Sequence, residues 1–124
     1  MAIKKDLSIE FAGVRCENPF FLSSSPVGGD YDMIAKSFAL GWGGAVSKTI
    51  GIVVSDECSP RFATATREGQ PWIGLKNLDQ ISEKPTEYNF EQLYKLKKAY
   101  PDRVVVASIM GSNESEWSRL ARMC

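Results

Sequence analysis

The chain has 124 residues, 15 basic and 15 acidic, with no histidine and three cysteines. That length suits one small domain with a modest core, and a net charge of zero gives no electrostatic case for nucleic acid or an anionic membrane. No apolar run approaches the roughly 18 residues of a membrane span, and the start, MAIKKDLSIEF, lacks the apolar core and cleavage site of a secretory leader.

Cys16, Cys58 and Cys124 are widely spaced and form no CxxC pair. Without histidine, a metal site from this chain alone is disfavoured, and free thiols suit a reducing, cytoplasmic compartment. Along the chain, Leu7, Ile9 and Phe11 alternate up to Ala12-Gly13, and Val14 and Cys16 follow, which predicts a β-hairpin. Asn18-Pro19 favours an extended entry, and Phe20-Phe21-Leu22-Ser23-Ser24 reads as the first strand of the main sheet. Pro26 and Gly28-Gly29 break it. Asp30 is placed to cap a helix whose apolar face is Tyr31, Ile34, Ala35 and Phe38, and Gly41 ends it. Residues 44–48 form a second strand. The first half thus reads hairpin, β, α, β, with connections suited to a parallel crossover.

Residues 49 to about 86 show no sustained period, and a loop of that length in a compact domain is a functional signal or an unrecognised element. The spacing predicts a helix over 89–100, with Phe90, Leu93, Tyr94 and Leu96 on its apolar side. A third strand follows over 104–110, apolar at consecutive positions as a strand buried on both faces requires. Asn113 and Glu116 suit a capping box for a last helix with Trp117, Leu120 and Ala121 inward. The fold class is α/β: the N-terminal portion of a (β/α)8 TIM barrel with a preceding β-hairpin, truncated after about three βα units, since such a barrel needs about 250 residues. Residues 1–124 are one unit, with 1–19 its hairpin and lead-in.

Ligands of parallel α/β folds gather at the carboxyl ends of strands. Here those ends read Ser23-Ser24-Ser25, Ser47-Lys48-Thr49 and Ser108-Ile109-Met110-Gly111. Lys48 is either a solvated strand-end residue or a cation aimed at an acceptor whose negative charge develops during reaction. Ser24 and Thr49 offer hydroxyls to ring acceptors, although turn hydrogen bonding is the simpler role for the serines alone. Asn77 offers a donor and an acceptor that suit an imide or pyrimidine edge, or it is an ordinary turn asparagine. Gly43-Gly44 and Gly51 are expected to let a flat ligand approach the backbone. Met110 and Trp72 are read as packing residues, and Lys95, Lys97 and Lys98 as a solvated helix face.

The stretches DLSIEFAGV, NPFFLSSSPVG, GWGGAVSKTIG, SPRF, IGLKNLDQISE, LKKAYPDRVVVASIMGSNE and WSRLA together resemble the flavin barrel of the dihydropyrimidine dehydrogenases, with dihydroorotate dehydrogenase a more distant relative. The resemblance covers nearly the whole chain. It implies an oxidoreductase that reduces the 5,6 double bond of uracil or thymine, or runs the reverse, by hydride transfer through FMN. Electrons would come from NAD(P)H through a partner flavoprotein subunit, in an oligomer, with no nucleic acid or membrane involved. It implies that Ser24, Lys48 and Thr49 contact the isoalloxazine, Lys48 near the N1/C2-carbonyl edge, and that Asn77 contacts the pyrimidine. The family's catalytic cysteine, its FMN-phosphate grip and its iron–sulfur segment fall outside these residues, so no catalytic residue and no metal ligand is assigned here, and the chain alone is expected to be inactive. Asp79 stands where mammalian relatives have glutamate and receives no ligand role. The alternatives are a dihydroorotate dehydrogenase and, of another class, a non-catalytic binding or assembly fragment.

Overall fold

The computed structural model describes residues 5–56, 59–69 and 73–124. Cys58 and Trp72 lie outside them. The architecture is mixed α/β, with three α-helices and several small sheets.

β1 (Ile9–Phe11) and β2 (Val14–Cys16) form the expected antiparallel hairpin, pairing Ile9 with Cys16, Glu10 with Arg15 and Phe11 with Val14. Ala12 (φ 50°) and Gly13 (φ 76°) both take the left-handed conformation that matches a two-residue turn to strand twist. Leu7, Ile9 and Phe11 are exposed rather than buried. The hairpin meets the main sheet where the Phe11 ring lies 6.3 Å from that of Phe21.

β3 (Phe21–Leu22), β4 (Gly44–Val46) and β8 (Val104–Val106) make a parallel sheet in that order, as the β-α-β pattern requires. The strands are shorter than expected, and the residues beyond them are held by other bonds, described below. β5 (Ile50–Gly51) and β9 (Ile109–Met110) resume the parallel pairing further along. The row Leu22, Ala45, Val105 faces the core, because side chains of one register row share a face.

α1 (Tyr31–Ala39) begins where the Asp30 carboxylate accepts from the Asp32 amide, and ends before Gly41 at φ 96°. Its Ile34 and Phe38 join Ala45 and Leu96 in the buried core, with Tyr31, Ala35, Leu93, Tyr100 and Val105 packed around them. Phe38 meets Tyr100 edge-on at 5.3 Å.

α2 (Thr86–Ala99) starts three residues before the expected boundary. Its buried positions are Thr86, Asn89 and Leu96, with Leu93 partly buried, and Tyr94 is 70% exposed. Two polar residues share the inward stripe with Leu93 and Leu96, so an apolar count misplaces the start and wrongly puts Tyr94 inside. Asn89 is inside because its amide donates to the Lys84 and Pro85 carbonyls and its oxygen accepts from the Ser82 hydroxyl, which satisfies its buried polar atoms.

α3 (Glu114–Met123) carries the expected cap: Asn113 accepts from the Glu116 amide, and Glu116 in turn accepts from the Ser112 amide and the Asn113 side chain. Leu120 is fully buried, but Trp117 and Ala121 are exposed.

Two expectations are corrected. Residues 49–86 are not irregular throughout: besides β5 they contain an antiparallel hairpin of β6 (Phe62–Ala65) and β7 (Gly74–Asn77). The third strand is not buried on both faces either. Val106 is 39% exposed, because α1 and α2 cover the side that holds the Leu22, Ala45, Val105 row and Val106 belongs to the opposite row. Among the described residues, no helix is long and apolar enough to cross a membrane.

β8 pairs with β4 along one edge, and its other edge has no strand partner among the described residues. With Val106, Met110 and Trp117 exposed nearby, the isolated chain is expected to self-associate. Light scattering checks this; a sharp monomer with a cooperative melt is the opposite outcome.

Candidate functional site

Beyond β4 the chain runs Ser47-Lys48-Thr49 before pairing resumes at Ile50, and each of these residues is tied across the strand ends. The Ser47 amide donates to the Val106 carbonyl at 2.9 Å, and its hydroxyl accepts from the Ser108 amide at 3.1 Å. The Lys48 amide donates to the Gly28 carbonyl at 2.8 Å, and the Thr49 carbonyl accepts from Ser82 at 2.8 Å. Ser47 and Lys48 are buried, so backbone and side-chain bonds must take over from the ladder that ends at Val46.

Three hydroxyls line up at the three strand ends. Thr49 Oγ1 lies 2.9 Å from Ser108 Oγ and 3.4 Å from Ser24 Oγ. The Lys48 ammonium donates to Asp79 Oδ1 at 3.0 Å. The two side chains are only 10% and 12% exposed, which makes this a largely buried ion pair and not a surface one. Asn77, at the end of β7, accepts from the Asp79 amide through Oδ1 at 2.8 Å.

These groups share one cleft of about 520 Å³, lined by Ser24, Ser25, Lys48, Thr49, Asn77, Asp79, Gln80, Ile81 and Met110. Its volume is within the range of small-molecule sites. The four residues singled out from sequence, Ser24, Lys48, Thr49 and Asn77, therefore all line the same wall, although they come from three separate segments. Met110 lines it too, rather than serving packing alone.

The glycines behave differently from expectation. A Cβ on Gly43 would fall 2.4 Å from the Asn18 carbonyl, one on Gly44 2.3 Å from the Phe21 ring and one on Gly51 2.7 Å from Ile81 Cδ1. The space beside each is filled by this chain's own atoms. They are glycines for internal packing, not for a ligand's approach.

Asp79 is the residue that sequence reasoning missed. It lies two residues past Asn77 in an Asx turn, a local pattern that is visible in sequence, but its partner is 31 positions away. The loop carrying it is held firmly. The Leu78 amide donates to Arg61 at 2.7 Å, Ser82 bonds Thr49 and Asn89, and the Thr86 hydroxyl donates to the Gly51 carbonyl at 2.7 Å.

The fold is that of an α/β chain whose polar residues converge beyond the carboxyl ends of parallel strands. No family model matches it. Over 121 residues, 98% of its length, it is 54% identical to the NAD-dependent dihydropyrimidine dehydrogenase subunit PreA of Escherichia coli K12, and equally to PreA of Escherichia coli O157:H7. It is 35% identical, over 93% of its length, to the chloroplastic dihydropyrimidine dehydrogenase (NADP(+)) of Arabidopsis thaliana. The resemblance to the dihydropyrimidine dehydrogenase subunits is thus shown for nearly all of this chain, which spans 29% of the length of these relatives.

The position of Lys48 depends on Gly28. A Cβ there would fall 2.7 Å from the Val46 carbonyl and 3.3 Å from the Lys48 amide, both backbone atoms. Gly28→Ala is expected to cost about 1–3 kcal/mol of stability, measured by denaturant unfolding, and to lengthen the Lys48–Gly28 bond.

Proposed function

We propose that residues 1–124, with 1–19 as hairpin and lead-in, are a portion of the (β/α)8 barrel of a dihydropyrimidine dehydrogenase subunit, and that the cleft beside Lys48 receives the isoalloxazine of FMN. The observation that carries this reading is the meeting of Ser24, Lys48, Thr49 and Asn77 in one cleft. The relatives named as dihydropyrimidine dehydrogenases support the reaction class: reduction of the 5,6 double bond of uracil or thymine, or its reverse. The whole enzyme would draw on NAD(P)H through a partner flavoprotein subunit, with iron–sulfur clusters held outside these residues.

The donor set fits the polar edge of a flavin. The cleft offers an ammonium and the hydroxyls of Ser24, Ser25 and Thr49, with Ile81 and Met110 as apolar surface. FMN, when bound, would supply the hydride chemistry. The residues of this chain would orient the ring and stabilise charge. The ammonium donates toward a ring edge that becomes electron-rich, and its burial strengthens that interaction relative to water. Ser24 and Thr49 would serve ring acceptors. Asn77, whose Oδ1 already accepts from Asp79, would meet a pyrimidine mainly as an Nδ2 donor.

Among the described residues Lys48 is the one basic residue lining the cleft, and it is engaged by Asp79. A phosphate is best held by backbone amides at a helix N-terminus, and among the described residues lining this cleft none begins an α-helix. The isolated chain is therefore expected to lose FMN on dialysis; stoichiometric yellow protein that survives dialysis is the contrary result.

The central test is Lys48→Met in a full-length subunit carrying this stretch. Methionine keeps the apolar stem and removes the charge. A charge-assisted hydrogen bond is worth roughly 1.5–3 kcal/mol, so the FMN midpoint should fall by about 30–65 mV for a two-electron couple. Redox titration of FMN-replete protein reads this. An unchanged midpoint with reduced stability would leave Lys48 as a structural strand-end residue.

A further inference from the structure

We infer that Asp79 is the positioning residue of Lys48: its carboxylate fixes the ammonium against the cleft and offsets its charge. The inference rests on the flavin reading only for the identity of the ring that the ammonium meets.

Geometry sets this pair apart from the other ion pairs. Arg61–Glu83, Lys95–Glu91 and Arg119–Glu87 join side chains that are 44% to 69% exposed, and in Arg103–Glu17 the carboxylate is 53% exposed; contacts open to solvent contribute little. Lys48 and Asp79 are about 90% removed from solvent, and both are held from behind. The Lys48 backbone is bonded to Gly28. Its stem passes Gly29 so closely that a Cβ there would lie 3.5 Å from Lys48 Cβ and 3.6 Å from Cδ. Asp79 is fixed by its own amide on Asn77, and its loop is fastened on either side by the Leu78–Arg61 and Ser82–Thr49 bonds.

A buried cation that loses a carboxylate partner is disfavoured, and an amine released from that bond is more open to acylation while its stem stays packed beside Gly29. The carboxylate engages the ammonium within the cleft that Asp79 itself lines. The carboxylate lowers the positive charge that Lys48 brings to the cleft. Substituting either partner shifts the balance in opposite directions. Loss of Asp79 leaves the cleft more positive and favours an anionic ring. Loss of Lys48 leaves it more negative and disfavours one. Damage to the fold alone weakens binding of both ring forms together and does not produce opposite signs.

The first arm of the test needs no flavin. Amine acylation of Lys48, followed by mass spectrometry against Lys95 as an exposed reference, is compared in wild type, Asp79→Asn and Asp79→Glu. Asp79→Asn is expected to raise Lys48 labelling several-fold relative to Lys95, and Asp79→Glu to restore slow labelling. Unchanged labelling in Asp79→Asn overturns the inference. Where Asp79→Asn unfolds the chain, K48M/D79N decides: a melt restored toward wild type supports the pair, and one no better than the single variant overturns it.

The second arm titrates oxidised and anaerobically reduced riboflavin, which carries the ring without a phosphate, above neutral pH. The affinity ratio of reduced to oxidised ring should rise about tenfold in Asp79→Asn and fall about tenfold in Lys48→Met, the scale of one charge-assisted bond. Shifts of the same sign in both variants overturn the charge-offset role. If labelling responds as expected but no variant binds riboflavin in either state, the positioning role stands and the flavin reading fails.

Discussion

The main-chain bond from Lys48 to the Gly28 carbonyl is the constraint on which the site depends. It forms at the point where β4 has ended and β5 has not begun. β4 itself is wedged between β3 and β8, with Gly44 small because the Phe21 ring lies against it. Between Val46 and Ile50 the ladder gives way to other bonds: Ser47 reaches Val106 and Ser108, Lys48 reaches Gly28, and Thr49 reaches Ser82. Three consecutive residues therefore have their backbones fixed, while the Ser47 and Thr49 side chains meet Ser108 and the Lys48 side chain meets Asp79. An uninterrupted strand would send alternate side chains to opposite faces. The break in pairing lets neighbouring Lys48 and Thr49 both line one cleft.

The buried polar groups form a connected system. Ser82, Thr86 and Asn89 are all under 9% exposed, and each is hydrogen-bonded, to Asn89, to the Gly51 carbonyl and to the Lys84 and Pro85 carbonyls respectively. They fasten the start of α2 and the loop before it to the Thr49–Gly51 segment. That loop carries Asp79. A satisfied buried network gives modest net stability but strong geometric definition, and here the definition falls on the ammonium–carboxylate pair. The apolar core of Ile34, Phe38, Ala45 and Leu96 supports the same place from beneath, since Ala45 lies just before Val46 and Ser47.

Local signals were legible in the sequence because they act over a few residues. The Ala12-Gly13 turn, the Asp30 cap, the Gly41 stop and the Asn113/Glu116 box all appear as read. The parallel order followed from the β-α-β rhythm. What escaped depends on pairing across distance. β6 is Phe-Ala-Thr-Ala and β7 is Gly-Leu-Lys-Asn; neither carries an apolar alternation strong enough to mark a strand, and most of the hairpin is exposed. The start of α2 escaped because Thr86 and Asn89 occupy inward positions that an apolar pattern leaves to hydrocarbon. The site residues were recovered from their places at strand ends, whereas the glycines were misjudged because composition does not reveal which atom fills the space beside them. Asp79 was missed because an ion pair spanning 31 positions leaves no local trace.

The hydroxyl row at the strand ends adds a directional property to the site. Ser24, Thr49 and Ser108 supply three hydroxyl protons, and the two contacts among them, at 3.4 and 2.9 Å, use two. One proton remains for a group outside the row. Ser108 is the rigid end: its amide donates to Ser47 and its carbonyl accepts from Ile50. Ser24 is at the looser end and lines the cleft. If Ser108 donates to Thr49 and Thr49 donates to Ser24, the third proton points from Ser24 into the cleft, toward an acceptor. If the order reverses, Ser24 gives its proton to Thr49 and offers only lone pairs to a ligand. The cleft can thus meet either a donor or an acceptor at Ser24 without moving an atom heavier than hydrogen, while Lys48 beside it presents a donor in both cases.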